Sequence, residues 1–80
     1  MDYTYESLMT DLKIGREIEF EYKASRYSIT RTNGCWNFTT FNQEDYLQIK
    51  NLDDIGLVKV EDCLLKDLFD LGKYQDLTIF

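Results

Sequence analysis

The sequence predicts an α+β fold, with a small antiparallel sheet of about four to five strands and two helices packed mainly on one face. Residues 17–41 alternate apolar and polar side chains in three consecutive segments, which is typical of strands with one buried face. Helical apolar stripes lie on both sides of this region, over residues 3–14 and 63–73. A run of strands flanked by helices indicates the α+β class.

The length of 80 residues predicts a single domain, 1–80, with a small core. The N-terminus lacks a basic region followed by an apolar run, so we predict no signal peptide. No apolar stretch approaches the roughly 20 residues that span a bilayer. We therefore expect a cytoplasmic chain with no membrane contact.

The first helix is predicted over residues 3–14, where apolar residues recur at i, i+3, i+4 and i+7. Asp2 or Thr4 is expected to cap its first turn, and Gly15 to end it. The residues of the stripe are Tyr5, Leu8, Met9 and Leu12.

Two tight turns join the three strands of residues 17–41. The Asn33–Gly34 pair predicts a type I′ hairpin, which places Ile29 opposite Phe38. A second two-residue turn at Ala24–Ser25 places Phe20 opposite Ile29. Both registers put the apolar side chains on one face, and a slip of one residue would send a set to the wrong side.

Residues 46–50 predict a fourth, short strand. Asn51 is expected to cap a single helical turn over residues 52–55, which Gly56 ends. Residues 57–60 are either another short strand or an extended connector.

A second helix is predicted after Glu61 and Asp62, whose charges suit the positive end of a helix, and Gly72 is expected to end it. Residues 77–80 are apolar and predict a last strand. The apolar stripe of this helix consists of Leu64, Leu65, Leu68 and Phe69.

The residue inventory argues against most enzyme chemistry, and we predict no catalytic residue, metal site or cofactor. The chain contains no His, which removes the commonest general base and zinc ligand, and it has no Gly-rich phosphate loop. Cys35 and Cys63 are expected to be free thiols, with a disulfide between them as the alternative. The row Glu17, Glu19 and Glu21 could serve carboxylate chemistry, but ordinary solvation of a strand explains it better.

The formal net charge of −6 is concentrated in the second half, where residues 43–80 carry nine acids against four lysines. This balance disfavours direct nucleic-acid binding and attraction to anionic membranes, and it suits a protein partner with a basic surface. A purely solubilising role for the charge is the alternative. The predicted partner-binding residues are Glu17, Glu19, Glu21, Glu44, Asp45, Asp53, Asp54, Glu61 and Asp62.

The two faces of the predicted sheet differ in chemistry. The aromatic side chains fall on the face that the helices need, so they are assigned to the core. The other face is polar and negative along the first strand, where carboxylates repeat about every 7 Å, close to the spacing of phosphates along a DNA strand. The residues assigned to the aromatic face are Phe20, Tyr22, Tyr27, Trp36 and Phe38.

A helix followed by this hairpin and an apolar tail resembles small uncharacterised proteins of Gram-positive bacteria and their phages or mobile elements. That setting includes anti-CRISPR proteins, so the resemblance implies a chain that binds a nuclease rather than an enzyme. The matching residues are Ile18, Glu19, Phe20, Tyr22, Tyr27, Ser28, Ile29, Ile79 and Phe80.

These observations lead to two hypotheses of function. The first is a small acidic protein-binding module that inhibits a nucleic-acid-handling enzyme for a phage or mobile element, in an anti-CRISPR-like or DNA-mimic manner. The alternative is a structural or regulatory module without an inhibitory role, which self-associates through a sheet edge or the terminal strand. The sequence leaves the oligomeric state open.

Overall fold

A computed structural model describes residues 3–80 of the chain. The helices are α1 (Tyr5–Lys13) and α2 (Leu65–Asp70), with a 3₁₀ helix at Leu52–Leu57 between them. The strands are β1 (Ile18–Tyr22), β2 (Ser25–Thr32), β3 (Cys35–Thr40), β4 (Tyr46–Ile49), β5 (Lys59–Val60), β6 (Cys63–Leu64) and β7 (Gln75–Ile79). Five of them form an antiparallel sheet in the order β4-β3-β2-β1-β7, and β5 pairs with β6. The predicted α+β class is confirmed.

The β2–β3 hairpin has the predicted register. Ile29 pairs with Phe38, and Arg31 pairs with Trp36. The turn residues Asn33 and Gly34 have φ angles of 54° and 78°, as a type I′ turn requires. The Arg31 guanidinium also lies 5.2 Å from the centre of the indole of Trp36.

The predicted register of β1 and β2 was wrong by two residues. The turn is formed by Lys23 and Ala24, both with positive φ, so that Phe20 pairs with Tyr27 and Ile18 with Ile29. The predicted register would have set the apolar Ile18 against Arg31. A shift of two residues preserves the alternation, so the same side chains still face the core.

We expect Ala24→Gly to stabilise the fold by about 1 kcal/mol, because glycine adopts a left-handed conformation without the cost that a Cβ imposes. Ser25→Gly is the matched control, and it should destabilise by about 0.5–1 kcal/mol because Ser25 lies inside β2. Urea unfolding of both variants measures the difference. Stabilisation by Ser25→Gly would contradict the observed turn and favour one at Ala24–Ser25.

The helices cover one face of the sheet, called the inner face here, as predicted. The opposite face, called the outer face, carries the polar side chains of the strands. At the centre of the core, the Phe20 ring lies 5.5 Å from Tyr27, 6.4 Å from Phe38 and 5.2 Å from Phe69, measured between ring centres. Trp36 is only half-buried, at the margin of this aromatic group. The fully buried helical residues around it are Leu8, Leu12, Leu65 and Leu68.

α1 has the cap and the stop that its sequence predicts, although it covers Tyr5–Lys13 and not the whole of residues 3–14. The Thr4 hydroxyl accepts a hydrogen bond from the Ser7 N–H, and the Ser7 hydroxyl accepts one from the Thr4 N–H. Gly15 follows the helix with a φ of 92°. The alternative cap, Asp2, lies outside the described residues.

The region after β4 differs from the prediction. Asn51 caps the 3₁₀ helix as expected, because its side-chain oxygen accepts a hydrogen bond from the Asp53 N–H. Gly56 does not end this helix, which continues to Leu57. Gly56 is buried, and it lies so close to Tyr5 that a Cβ there would be 2.5 Å from the tyrosine hydroxyl. The glycine is needed for this contact rather than as a stop signal.

The start of the second helix was also predicted wrongly. Glu61 and Asp62 form the turn between β5 and β6, and the left-handed conformation of Glu61 reverses the chain there. Cys63 and Leu64 consequently pair with β5 as a strand, and α2 begins only at Leu65. The side chain of Leu64 is partly exposed instead of joining the apolar stripe.

The predicted last strand is confirmed as β7, which pairs antiparallel with β1. Ile79 lies opposite Ile18, and Thr78 lies opposite Glu19. β1 is therefore an interior strand, and β4 and β7 are the two edges of the sheet. Among residues 3–80, no helix is long and apolar enough to cross a membrane.

Candidate protein-binding surfaces

The structure distributes the nine predicted partner-binding carboxylates over three places rather than one. Glu17, Glu19 and Glu21 lie at the start of β1 and along it, with Glu19 and Glu21 on the outer face. Glu61 and Asp62 form the β5–β6 turn. Glu44 and Asp45 precede β4, and Asp53 and Asp54 follow it in the first turn of the 3₁₀ helix. Each place has a different electrostatic environment.

The carboxylates along β1 are partly neutralised by Arg26. This arginine lies opposite Glu21 on β2, and its Nε donates a hydrogen bond to Glu19 Oε1 at 3.1 Å. Its Nη1 lies 3.5 Å from Glu21 Oε1 and 3.5 Å from Asp76 Oδ2. The predicted negative row therefore contains a guanidinium shared by three carboxylates. The alternation along β2 places Arg26 with Ser28 on the outer face, and that signal could have revealed the pairing.

The carboxylates of the β5–β6 turn contact the β1–β2 hairpin. Asp62 accepts hydrogen bonds at 2.8 Å from both the Tyr22 hydroxyl and Lys23 Nζ, and Glu61 accepts one at 3.1 Å from the Tyr27 hydroxyl. The ion pair with Lys23, followed by the hydrogen bond from Tyr22, lowers the pKa of Asp62 to about 2. These two acids tie the turn to the β1–β2 hairpin, which makes them poor candidates for partner contact.

The lowered pKa of Asp62 predicts a loss of stability in acid. A carboxyl whose pKa is lower in the folded state stabilises the fold above its ordinary value of 3.8, and this contribution disappears as the pH falls towards 2. We expect Asp62→Asn to remove this part of the acid sensitivity in urea unfolding between about pH 5 and pH 2. Asp67→Asn, which neutralises an exposed carboxylate elsewhere, is the control. A carboxyl signal of Asp62 that titrates in NMR near 3.8 would contradict the ion pair.

The carboxylates on both sides of β4 remain available. Glu44, Asp45, Asp53 and Asp54 are all exposed, and none of them forms an ion pair with another of the described residues. Two lysines, Lys50 and Lys59, lie in the same region. Four carboxylates against two ammonium groups leave the surroundings of β4 negative.

β4 is an open edge strand with an apolar side chain at its surface. It pairs with β3 on one side only, with Leu47 opposite Phe38 and Ile49 opposite Trp36. Leu47 and Ile49 share one side of the strand as predicted, but Ile49 is buried whereas Leu47 is 50% exposed. Leu57, at the end of the 3₁₀ helix, is 66% exposed.

Two adjoining cavities lie along the inner side of β4, and we call them together the β4 groove. The first has a volume of about 340 Å³ and the second of about 280 Å³. Leu47 and Val58 line both of them. Asp54 and Lys50 line the first cavity, and Asp45 and Lys59 line the second, so each cavity has one carboxylate and one ammonium group in its lining. The sequence did not single out this groove, because its walls come from segments that no local pattern brings together.

The part of the chain that the structure describes contains no group of three His, Cys, Asp or Glu side chains placed to hold a metal ion. Cys35 lies in β3 and Cys63 in β6, and both are free thiols. The candidate site is a surface made of carboxylates, apolar side chains and an open strand edge.

No protein-family model, curated protein or solved structure matches this chain. The resemblance of its hairpin and tail to phage and mobile-element proteins thus stays a prediction. The surface around β4 is the basis on which a function can be proposed.

Proposed function

We propose that this chain is a small acidic protein-binding module whose partner is a protein with a basic surface. The observation that carries the proposal is the set of four exposed carboxylates on both sides of the open strand β4 (Glu44, Asp45, Asp53 and Asp54), without ion pairs among the described residues. Charges at the rim of an interface attract a partner of opposite sign and select against wrong partners. Apolar side chains between them supply surface to bury.

The partner class proposed is a nucleic-acid-handling enzyme, which the chain inhibits in the cytoplasm of a host cell. Such enzymes present basic channels to the phosphate backbone, and an acidic protein seated there competes with the nucleic acid. The net charge of −6 supports this class. The resemblance of the hairpin to phage and mobile-element proteins supports an inhibitory, anti-CRISPR-like role.

The DNA-mimic version of the proposal relies on the carboxylates of β1, and Arg26 weighs against it. In a DNA strand each nucleotide contributes one full negative charge. In this chain the charges of Glu19 and Glu21 are partly neutralised by the Arg26 guanidinium, which they share with Asp76. Among residues 3–80, the carboxylates around β4 form no comparable ion pairs. We therefore assign the partner contact to the β4 side of the molecule.

Titration against a panel of nucleic-acid-handling enzymes tests the proposal. We expect a complex of micromolar or higher affinity at low salt, weakened by added salt, and loss of nucleic-acid binding by the captured enzyme. Asp45→Asn combined with Asp54→Asn should weaken it several-fold. Glu6→Gln combined with Asp67→Asn changes the net charge equally at exposed sites on the helices and serves as the control.

Two results would count against this function. One is the absence of any complex at micromolar concentration and low salt. The other is an equal loss of affinity in the two double variants. In that case the net charge of the chain would account for the affinity, and the position of the carboxylates beside β4 would not matter. If the complex is insensitive to salt, the protein-binding hypothesis stands, but charge is excluded as the main source of attraction.

The second candidate is a self-associating structural or regulatory module without an inhibitory role. The open edges β4 and β7 favour it, because each offers unpaired backbone groups to another strand. Sedimentation from micromolar to millimolar concentration decides between a monomer and an oligomer. A monomer throughout this range would exclude self-association.

A further inference from the structure

We propose that β4 is the docking site for an extended segment of the partner, which adds to the sheet as a sixth strand. In this arrangement two apolar side chains of the segment enter the β4 groove, and Lys or Arg residues at its ends meet Asp45 and Asp54. The inference rests on the proposed function, because it names the contact and the chemistry of the segment that the partner supplies.

The two edges of the sheet differ in how they are protected against strand addition. At β7 the pairing register with β1 shifts between Glu19 and Glu21, and Asp76 has a positive φ and an ion pair with Arg26. Irregular pairing and a charged side chain are two of the devices by which proteins block an edge.

β4 has none of these devices. Its sequence Tyr46–Ile49 contains no charged residue and no proline, and its pairing with β3 runs without a register shift. A regular, uncharged edge beside exposed apolar side chains is a hazard in a monomer that does not use it. Its retention at β4, while β7 at the opposite edge of the sheet is protected, points to strand addition as the use.

The β4 groove matches the geometry of an added strand. Alternate side chains of a strand lie on the same face, about 7 Å apart. Leu47 lines both cavities, which therefore adjoin along the strand, and side chains at positions i and i+2 of an added strand would enter one cavity each. The cavities, of about 340 and 280 Å³, are large enough for side chains such as valine or leucine. Backbone hydrogen bonds then supply affinity and the cavities supply specificity.

The charges at the ends of β4 select a basic segment. Asp45 directly precedes the strand and lines one cavity, and Asp54 lines the other cavity beyond its far end. Lys50 and Lys59 lie there too, but Glu44 and Asp53 bring the balance to four carboxylates against two lysines. A second copy of this chain fits the groove less well, because each copy carries a net charge of −6 and presents the same carboxylates.

A displayed library of random decapeptides, selected against the folded chain, provides the test. We expect the sequences of the enriched peptides to have apolar residues at positions i and i+2. Lys or Arg residues should lie on either side of this apolar pair. Fluorescence anisotropy of a synthetic enriched peptide should show about tenfold or greater loss of affinity for Leu47→Lys, which adds a charge in the groove. Thr30→Lys adds the same charge on the outer face of β2 and should bind like the unmodified chain.

Hydrogen exchange of the unmodified chain keeps the test independent of whether Leu47→Lys folds. The backbone amides of residues 46–49 should gain protection when the synthetic peptide binds, and those of β7 should not. The proposal is overturned if no peptide is enriched, if the enriched peptides lack the alternation, or if Leu47→Lys folds and binds them unchanged. A dimer of the chain itself that Leu47→Lys abolishes would also overturn it, in favour of a second copy as the occupant.

The two proposals fail in distinguishable ways. An enzyme that binds the unmodified chain and folded Leu47→Lys with equal affinity would overturn strand addition and leave the protein-binding function standing. The absence of any enzyme partner for the unmodified chain would overturn the proposed function itself.

Discussion

Replacing Phe20 with alanine is expected to lower the free energy of unfolding by about 3–5 kcal/mol, the usual range for removal of a buried aromatic ring. Phe20 is fully buried, and its ring contacts Tyr27 and Phe38 on the sheet and Phe69 on α2. The cavity left behind would separate the sheet from the helix that covers it. A chain of 80 residues has a total stability of roughly 4–12 kcal/mol, so this variant should lose a large part of its stability.

Urea unfolding followed by circular dichroism and by the fluorescence of Trp36 measures this loss. Phe41→Ala is the matched control, because it removes the same side chain from a position that is 62% exposed. Its effect should stay within about 0.5 kcal/mol. Equal losses in the two variants would contradict the central place of Phe20 in the core.

The role of Phe20 also bears on where a partner can bind. The aromatic side chains that make this sequence distinctive are mostly used to join the sheet to its helices, so they are not free to stack on a nucleic-acid base. The surface of the sheet that remains consists of its outer face and its two edges. Of these, the β4 edge combines open backbone groups, exposed Leu47 and carboxylates that form no ion pair with another described residue.

The hairpins show how far local sequence determines the sheet. Asn33–Gly34 is a strong type I′ signal, and the register it predicts is the one observed. The β1–β2 turn contains no glycine, so its position is set by the pairing of the two strands along their whole length. That pairing includes Ile18 opposite Ile29. The sequence could predict which face each side chain occupies, because an error of two residues leaves the alternation unchanged.

The candidate site was less predictable, because its properties arise between segments distant in sequence. Composition identified the acidic residues, but it could not show that Tyr22 and Lys23 bind Asp62. It also could not show that β7 returns to pair with β1 and leaves β4 as an edge. The charge of a residue is local information, whereas its freedom to meet a partner depends on the completed fold.

Gly56 is another residue whose role depends on a contact with a segment distant in sequence. Its replacement is expected to have the second large effect on the free energy of unfolding. We expect Gly56→Val to destabilise the fold by about 2 kcal/mol, within the range for insertion of side-chain volume into a packed site. A Cβ at this position would lie 2.5 Å from the Tyr5 hydroxyl oxygen and 2.7 Å from the carbon that bears it. The ring of Tyr5 would have to move away from the 3₁₀ helix, because Gly56 is buried and lies against it.

A double-mutant cycle with Tyr5→Ala separates the clash with the tyrosine ring from the cost of placing valine in the backbone conformation of the 3₁₀ helix. If the tyrosine ring is what excludes a side chain at Gly56, then Gly56→Val should cost much less in a chain that already carries Tyr5→Ala. We expect the two changes to be coupled by about 1–2 kcal/mol, measured as free energies of unfolding in urea. Strictly additive effects would contradict the contact, and the cost would then belong to valine in the 3₁₀ helix itself. The coupling would make Gly56 a contact between the 3₁₀ helix and α1, and not the helix stop signal that its sequence neighbourhood indicated.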